Sequence, residues 1–392
     1  MTRWKTALSA MRPELEALFQ HLHTHPEISW QEYDTTRYLA ERLTDWGFRV
    51  RRFETCTGLT ADWGPDTGPT VALRTDIDAL WQVVDGEWQA NHSCGHDGHM
   101  TVVTGALRLL QQAFPTSPVR IRAIYQPAEE TGEGARQMVE LGALDDVVFL
   151  FGVHLRPKEE LSSGQFSACI RNGGAIQIDG RITGTAAHGA RPHLGVNAIE
   201  AAIAGWQAVQ TLHFPPMIPH SVKITRLEGG GQSTNIIPDT AQFSFDLRAE
   251  TNELLDQLVH QVESRVRQAC AMMGAEVEFH RGSRVMAAQV DDTARRLLAE
   301  AIVDCFGEAA LVPEVVTPGA EDFHYYTALR PDVKATMLGL GCNLTPGLHH
   351  PKMHFDRECL LDGAEILAEA AARAARMLGM ERVSPDHSAS GA

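Results

Sequence analysis

Thr70-Val71-Ala72-Leu73-Arg74-Thr75-Asp76-Ile77-Asp78 is the stretch on which the fold turns. It begins as an uninterrupted apolar run, the pattern of a strand covered on both faces, and ends in two carboxylates. Val119 to Gln126 reads as the next strand and delivers Pro127-Ala128-Glu129-Glu130, and Val147 to Val153 makes another buried strand that ends at His154. Between them, Val102, Val103, Ala106, Leu109 and Leu110 mark the inward face of a helix that closes near Pro115, and another helix follows Gly134. Strands alternating with helices predict an α/β layer: a mostly parallel central sheet flanked by helices. Ligands in such sheets gather at the carboxyl ends of strands. Asp76, Asp78, Glu129, Glu130 and His154 all fall at such ends.

Outward from this core, Leu15, Leu18, Phe19 and Leu22 mark a first helix. Tyr38, Leu39, Leu43 and Trp46 mark a second, with Gly47 at its stop. The middle of the chain reads differently. Strands at Ile176–Ile182, Ser221–Leu227, Ala241–Leu247 and Glu276–His280 are interleaved with helices at Asn197–Leu212 and Leu254–Val266. This β-α-β-β-α-β order is that of a ferredoxin-like unit. It places an inserted domain at residues 174–284 of a discontinuous larger domain, 1–173 and 285–380. The larger domain resumes with a helix from Asp292 to Phe306 and a strand near Ala335 to Leu340, and closes with a helix from Leu360 to Leu378. The small polar residues of the tail, 381–392, predict disorder.

A net charge of −16 over 392 residues argues against nucleic acid or an anionic membrane as partner. No stretch reaches the ~20 apolar residues of a membrane span, and the first ten residues lack the apolar core of a secretory leader. The seven cysteines are scattered, which fits a reducing cytoplasm rather than a disulfide framework.

The chemistry concentrates in His92-Ser93-Cys94-Gly95-His96-Asp97-Gly98-His99, where a thiol, three imidazoles and a carboxylate share eight positions. Cys and His are ligands that divalent transition metals prefer. Candidate ligands are Cys94, His96, Glu130, His154 and His349, with His350 equally placed by spacing alone. Five mixed ligands exceed the need of one tetrahedral ion and suit two ions sharing the Cys94 thiolate. Such a pair can acidify a water and polarise a carbonyl. Glu129, beside Glu130, is the candidate base for the water's proton. His99 reads as a packing or capping side chain and Asp322 as a structural one. Trp81 and Trp88 read as packing aromatics, and the cysteines other than Cys94 as inert.

The series Leu73–Leu80, Cys94–His99, Gln126–Glu130, Gly152-Val153-His154 and Leu348-His349-His350-Pro351, in that order, resembles the amidohydrolase subfamily of the M20 metallopeptidases. That subfamily includes hippurate, indole-acetyl-amino-acid and other N-acyl-amino-acid hydrolases. His23-Thr24-His25-Pro26-Glu27-Ile28-Ser29 and Ala187-His188-Gly189-Ala190-Arg191-Pro192-His193 are similar to it as well. The resemblance implies a catalytic domain with an inserted ferredoxin-like lid and dimerisation domain. It implies two divalent metal ions, manganese or zinc (cobalt or nickel in vitro), held by Cys94, His96, Glu130, His154 and His349. Glu129 would be the base and Asp78 would orient ligands. His188 would reach the substrate, often across a homodimer, and Asn235 and Arg248 would meet its carboxylate. The expected activity is attack of a metal-bound hydroxide on the amide of an N-acyl amino acid. A dipeptidase or aminoacylase of the same fold is the alternative, and a non-catalytic metal- or ligand-binding protein a third. The segment Trp81–Asn91 departs from most relatives and is shared with AmhX-like bacterial amidohydrolases; it leads into the metal loop and is placed to line the acyl pocket.

Overall fold

A computed structural model describes residues 4–381. The expected disordered tail lies outside the described residues, save for residue 381, which ends the last helix. The chain divides into two compact units. The first takes the residues up to Arg171, Gln289–Val315 and those from Asp322 onward; the second takes Asn172–Ala288 and Val316–Glu321.

The first unit is built on an eight-stranded sheet in the order Arg49–Arg52, Leu59–Trp63, Arg120–Gln126, Thr70–Asp76, Val147–Pro157, Lys334–Leu344, Phe166–Ser167, Leu311–Val312. Its four central strands run parallel. All seven residues of Thr70–Asp76 are buried. Val71 and Leu73 join one core with Val102, Leu109 and Leu367, while Ala72 joins another with Met138, Leu144 and Tyr326. Burial on both faces is why the strand reads as a continuous apolar run.

On the first of these faces, helices His96–Ala113 and Cys359–Glu381 pack closely. Ala364, Ala368, Ala371 and Ala375 form a small buried stripe on the second helix. A Cβ on Gly105 would lie 3.0 Å from that of Ala364, and one on Gly363 only 2.8 Å from Leu340 and 3.1 Å from Val102.

Three features depart from the sequence reading. His96 and Asp97 already belong to the helix expected only after the cluster. The strand bearing His154 continues to Pro157, because Lys334–Leu344 pairs with it along that length. Leu80–Val84 and Glu87–Asn91 form a hairpin. Its turn is Asp85-Gly86, with φ of +51° and +93°, the positive-φ pair that a type I′ turn requires.

The second unit is a four-stranded antiparallel sheet in the order His220–Gly229, Thr240–Ala249, Gly174–Thr183, Glu276–Val285. Ala241, Phe243, Phe245 and Leu247 share one buried core with helices Ala198–Val209 and Asn252–Met272. Asn197 and Thr251 cap those helices through their side chains. The strand order together with the chain order is the ferredoxin-like arrangement. The long stretch of this unit, Asn172–Ala288, begins and ends side by side, with the Ala288 N–H donating to the Asn172 carbonyl at 2.9 Å. Among the described residues, no helix is long and apolar enough to cross a membrane.

The tight contact at Gly363 yields a prediction. Gly363→Leu should overpack the junction of helix and sheet by about 1–3 kcal/mol. We expect the melting temperature to fall by roughly 2–12 °C in calorimetry, whereas an unchanged melt would mean that the helix is free to shift.

Candidate metal centre

The site is built at the carboxyl ends of the parallel strands. Registers of Asp76 with Gln126 and of Leu73 with Phe151 bring Asp76, the Glu129 turn and His154 to one level. Gly95, at φ +88°, turns the chain between Cys94 and the helix that starts at His96; a Cβ there would meet Leu155 at 2.8 Å.

His96 is fixed through Nδ1, which lies 2.9 Å from the Asp78 carbonyl. In the neutral ring Nε2 therefore carries the lone pair, and that atom is buried with no hydrogen-bond partner. Around it stand Asp76 Oδ2 at 3.7 Å, Glu130 Oε1 at 3.8 Å and Glu129 Oε2 at 3.9 Å. His154 gives its Nδ1 proton to the Leu155 carbonyl at 2.7 Å, and its Nε2 lies 3.7 Å from Cys94 Sγ. His349 Nε2 lies 3.5 Å from Glu130 Oε2. Among the described residues, five groups of three donors have ligating atoms within 4.8 Å of one another, and two of them, Cys94–His96–His154 and Cys94–Glu130–His349, share Cys94.

The electrostatics fit a cation. Besides His96 Nε2, Asp78 Oδ1 and Glu130 Oε1 are buried without hydrogen-bond partners. Burial pushes the Glu130 carboxyl up to about 7 and, with Glu130 nearby, the Cys94 thiol well above its ordinary range. Burial would depress His96, but Asp76, Cys94 and Asp78 raise it well above normal. Burial holds His154 well below. A set of S, N and O donors this rich in anions is what divalent transition metals bind.

Of the other two histidines of the cluster, His99 is engaged by hydrogen bonds, whereas both ring nitrogens of His92 are buried without a partner. The Leu155 N–H donates to His99 Nε2 at 2.9 Å, so Nδ1 carries the proton and donates to Asp76 Oδ1 at 2.7 Å. His92 is buried and pulled down to about 4 by desolvation. Among the described residues, His350 joins no donor group; its Nδ1 accepts from the Lys352 N–H at 3.1 Å.

Behind the donors lies a layer of which the sequence reading singled out only Asp322, as a structural residue. Arg74 is fully buried and donates to Gln126, Asp76 and Asp322 at 2.8, 2.9 and 3.0 Å. Gln126 in turn donates to Asp322 and accepts from the Tyr326 hydroxyl. The N-terminal motif supplies further braces. His23 Nδ1 lies 2.6 Å from Asp97, and Ser29 Oγ donates to Asp78 at 2.6 Å. Glu32 accepts from the Ala128 N–H at 2.9 Å and from Thr57 Oγ1 at 2.5 Å. Ala128, at φ +51°, is the left-handed residue that swings Glu129 and Glu130 out of the strand direction.

The second unit carries the remaining candidates. His188 and Asn235 sit on or beside a two-strand pairing, Ala187↔Ile237 and His188↔Ile236. Gly189 donates to the Asn235 carbonyl at 2.7 Å. His188 is exposed, and its Nδ1 accepts from the Ala190 N–H at 3.0 Å, which leaves Nε2–H as a donor. Arg248 is engaged by Asp246 and by the Pro318 carbonyl.

The chain is similar to known proteins in sequence and fold. Peptidase family M20/M25/M40 matches residues 72–373. N-acetylcysteine deacetylase of Bacillus subtilis is 30% identical over 381 residues, which span 92% of this chain and 97% of that protein. IAA-amino acid hydrolase ILR1-like 4 of Arabidopsis thaliana is 29% identical over 375 residues, spanning 90% and 84%. The crystal structure of the Bacillus subtilis YXEP protein, a dinuclear metal binding peptidase from the M20 family, superposes with a TM-score of 0.80 at 27% identity, covering 94% of this chain and 99% of that one.

Glu32 carries a pH prediction. Burial raises its carboxyl from 4.5 to about 7, and Asp78 adds to the rise, while Thr57 and the Ala128 N–H oppose it. An acid raised on folding contributes stability below its unfolded pKa and loses that contribution as pH climbs through the folded value. Glu32→Gln keeps an acceptor for Ala128 and removes the titration. In metal-stripped protein, the variant's stability relative to wild type should rise between pH 4.5 and pH 8 by up to roughly 3 kcal/mol. Parallel denaturation curves at both ends of that range would refute the assignment.

Proposed function

The chain belongs to peptidase family M20/M25/M40 and is a hydrolase of amide bonds, and we propose that it cleaves the amide of small N-acyl amino acids. The reading rests on one observation: two three-donor groups that share Cys94, with Glu129 beside them. Cys94, His96, Glu130, His154 and His349 would hold two divalent ions, manganese or zinc. When bound, such ions supply Lewis acidity toward a carbonyl oxygen and acidify a water.

The chain's own groups supply the rest. Asp78 orients His96 through its backbone carbonyl and steadies the Glu130 N–H through its carboxylate, at 3.1 Å. Glu129 takes the proton of the attacking water at its carboxylate. The water oxygen bonds to the acyl carbon, the C–N bond breaks, and Glu129 returns the proton to the leaving nitrogen. The products are an acid and a free amino acid. His188 Nε2–H is suited to a developing oxyanion. Asn235 and the arm of Arg248 left by Asp246 and Pro318 are suited to the substrate's carboxylate.

The relatives act on an N-acetylated amino acid and on IAA–amino acid conjugates, by their names, which favours N-acyl amino acids over dipeptides. The second unit is read as a lid and dimerisation domain, with His220–Gly229 as its exposed edge strand. The seven cysteines are scattered rather than set out as a disulfide framework, which suits the cytoplasm.

Two outcomes test the reading. Metal-stripped protein should release no amino acid from N-acetyl, N-benzoyl or indole-acetyl amino acids, and manganese or zinc should restore release. Glu129→Gln should keep both ions by elemental analysis while turnover falls about 10²–10⁴-fold. Turnover near wild type would remove Glu129 as the base, and hydrolysis of dipeptides alone would move the assignment to a dipeptidase.

A further inference from the structure

The hairpin Leu80–Asn91 has two unlike faces. Trp81, Val83 and Trp88 share one face and are 55%, 43% and 64% exposed. The opposite face carries Gln82 and Asn91, and both side chains bond to the loops that flank the candidate centre. Gln82 Nε2 donates to Ser93 Oγ at 2.8 Å and lies 3.4 Å from the His349 carbonyl. Asn91 Nδ2 donates to the Pro351 carbonyl at 3.0 Å and to Gln82 Oε1 at 3.2 Å. The two amides form one bridge between Ser93, which precedes Cys94, and the segment His349–Pro351.

His349 needs such a bridge. Its side chain is 54% exposed, whereas those of Cys94, His96 and His154 are buried. It sits on a loop closed by the pairing of Thr345 with His354. Its φ is +64°, a left-handed conformation costly for a side-chain-bearing residue and kept only where its surroundings fix it. What fixes it is the His349 N–H donating to the Ser93 carbonyl at 2.8 Å, and Gln82 at its own carbonyl.

We propose that the hairpin is a brace, with Gln82 and Asn91 as positioning residues that hold His349 against Cys94 and Glu130. The brace rests on the metal-ligand reading given above. It selects between the two donor groups. Cys94–Glu130–His349 depends on the bridge, and Cys94–His96–His154 does not. The bonds that orient a ligand are typically worth about 10–100-fold in metal affinity.

The test is calorimetric titration of metal-stripped full-length protein with Mn²⁺ alone and with Zn²⁺ alone. Gln82→Leu, and the volume-conserving Asn91→Asp that removes both donated bonds, should each weaken one of two bound ions about 10–100-fold and leave the other unchanged. Trp81→Ala, on the hairpin's other face, should bind both ions as wild type does. His349→Ala separates the brace from its premise. If it loses one ion while Gln82→Leu and Asn91→Asp bind both normally, the brace is overturned and the ligand reading stands. If His349→Ala itself binds both ions normally, the ligand reading falls and the brace falls with it. Equal weakening of both ions in the amide variants would also overturn the brace, since that is the mark of a general structural loss.

Discussion

The bond from His96 Nδ1 to the Asp78 carbonyl is the constraint on which the candidate centre depends. In the neutral ring it engages the one proton, and it leaves Nε2 buried among carboxylates with no hydrogen-bond partner. The same logic repeats at His154, whose proton is held by the Leu155 carbonyl. Backbone carbonyls thus set both tautomers, one within a strand at Leu155 and one two residues past a strand's end at Asp78.

Concentrating anionic donors in a buried space is unfavourable by itself. The first unit answers with a second layer. Arg74 lies between Asp76 and Asp322, and Gln126 and Tyr326 complete the bonds around it. On the opposite flank, residues His23 to Glu32 reach Asp97, Asp78 and Ala128 in turn. Each brace bonds to a neighbour of a donor. Coordination is left open while orientation is fixed, the arrangement that lets a site bind an ion without first rebuilding itself.

Much of this was legible in the sequence, and the part that was not has a physical cause. Thr70–Asp76 and Val147–Val153 declared themselves through the short apolar runs Val71–Leu73 and Val147–Phe151, which strands buried on both faces favour. Phe243, Phe245 and Leu247 alternated because only one face of their sheet is covered. Cys94, His96, Glu129, Glu130, His154 and His349 stood out by residue type, and the structure brings them together. The braces were silent because a buried Arg or Gln is recognised only by its partner, and Asp322 stands 248 residues from Arg74. The hairpin was missed for a different reason. Its alternation of Trp81, Gln82 and Val83 is short, and the deciding signal was the turn Asp85-Gly86.

The neighbouring ends of the second unit have a consequence for how such a chain can change. A folded insert whose first and last residues are hydrogen-bonded to each other interrupts its host as a short loop would, however many residues it contains. The host sheet can therefore stay constant while the insert is remodelled. Residues that would hold metal and residues that would choose the substrate sit on separately packed pieces of one gene product. Selection on substrate preference can then act on the insert without touching the donors, and the reaction chemistry outlasts each change of substrate.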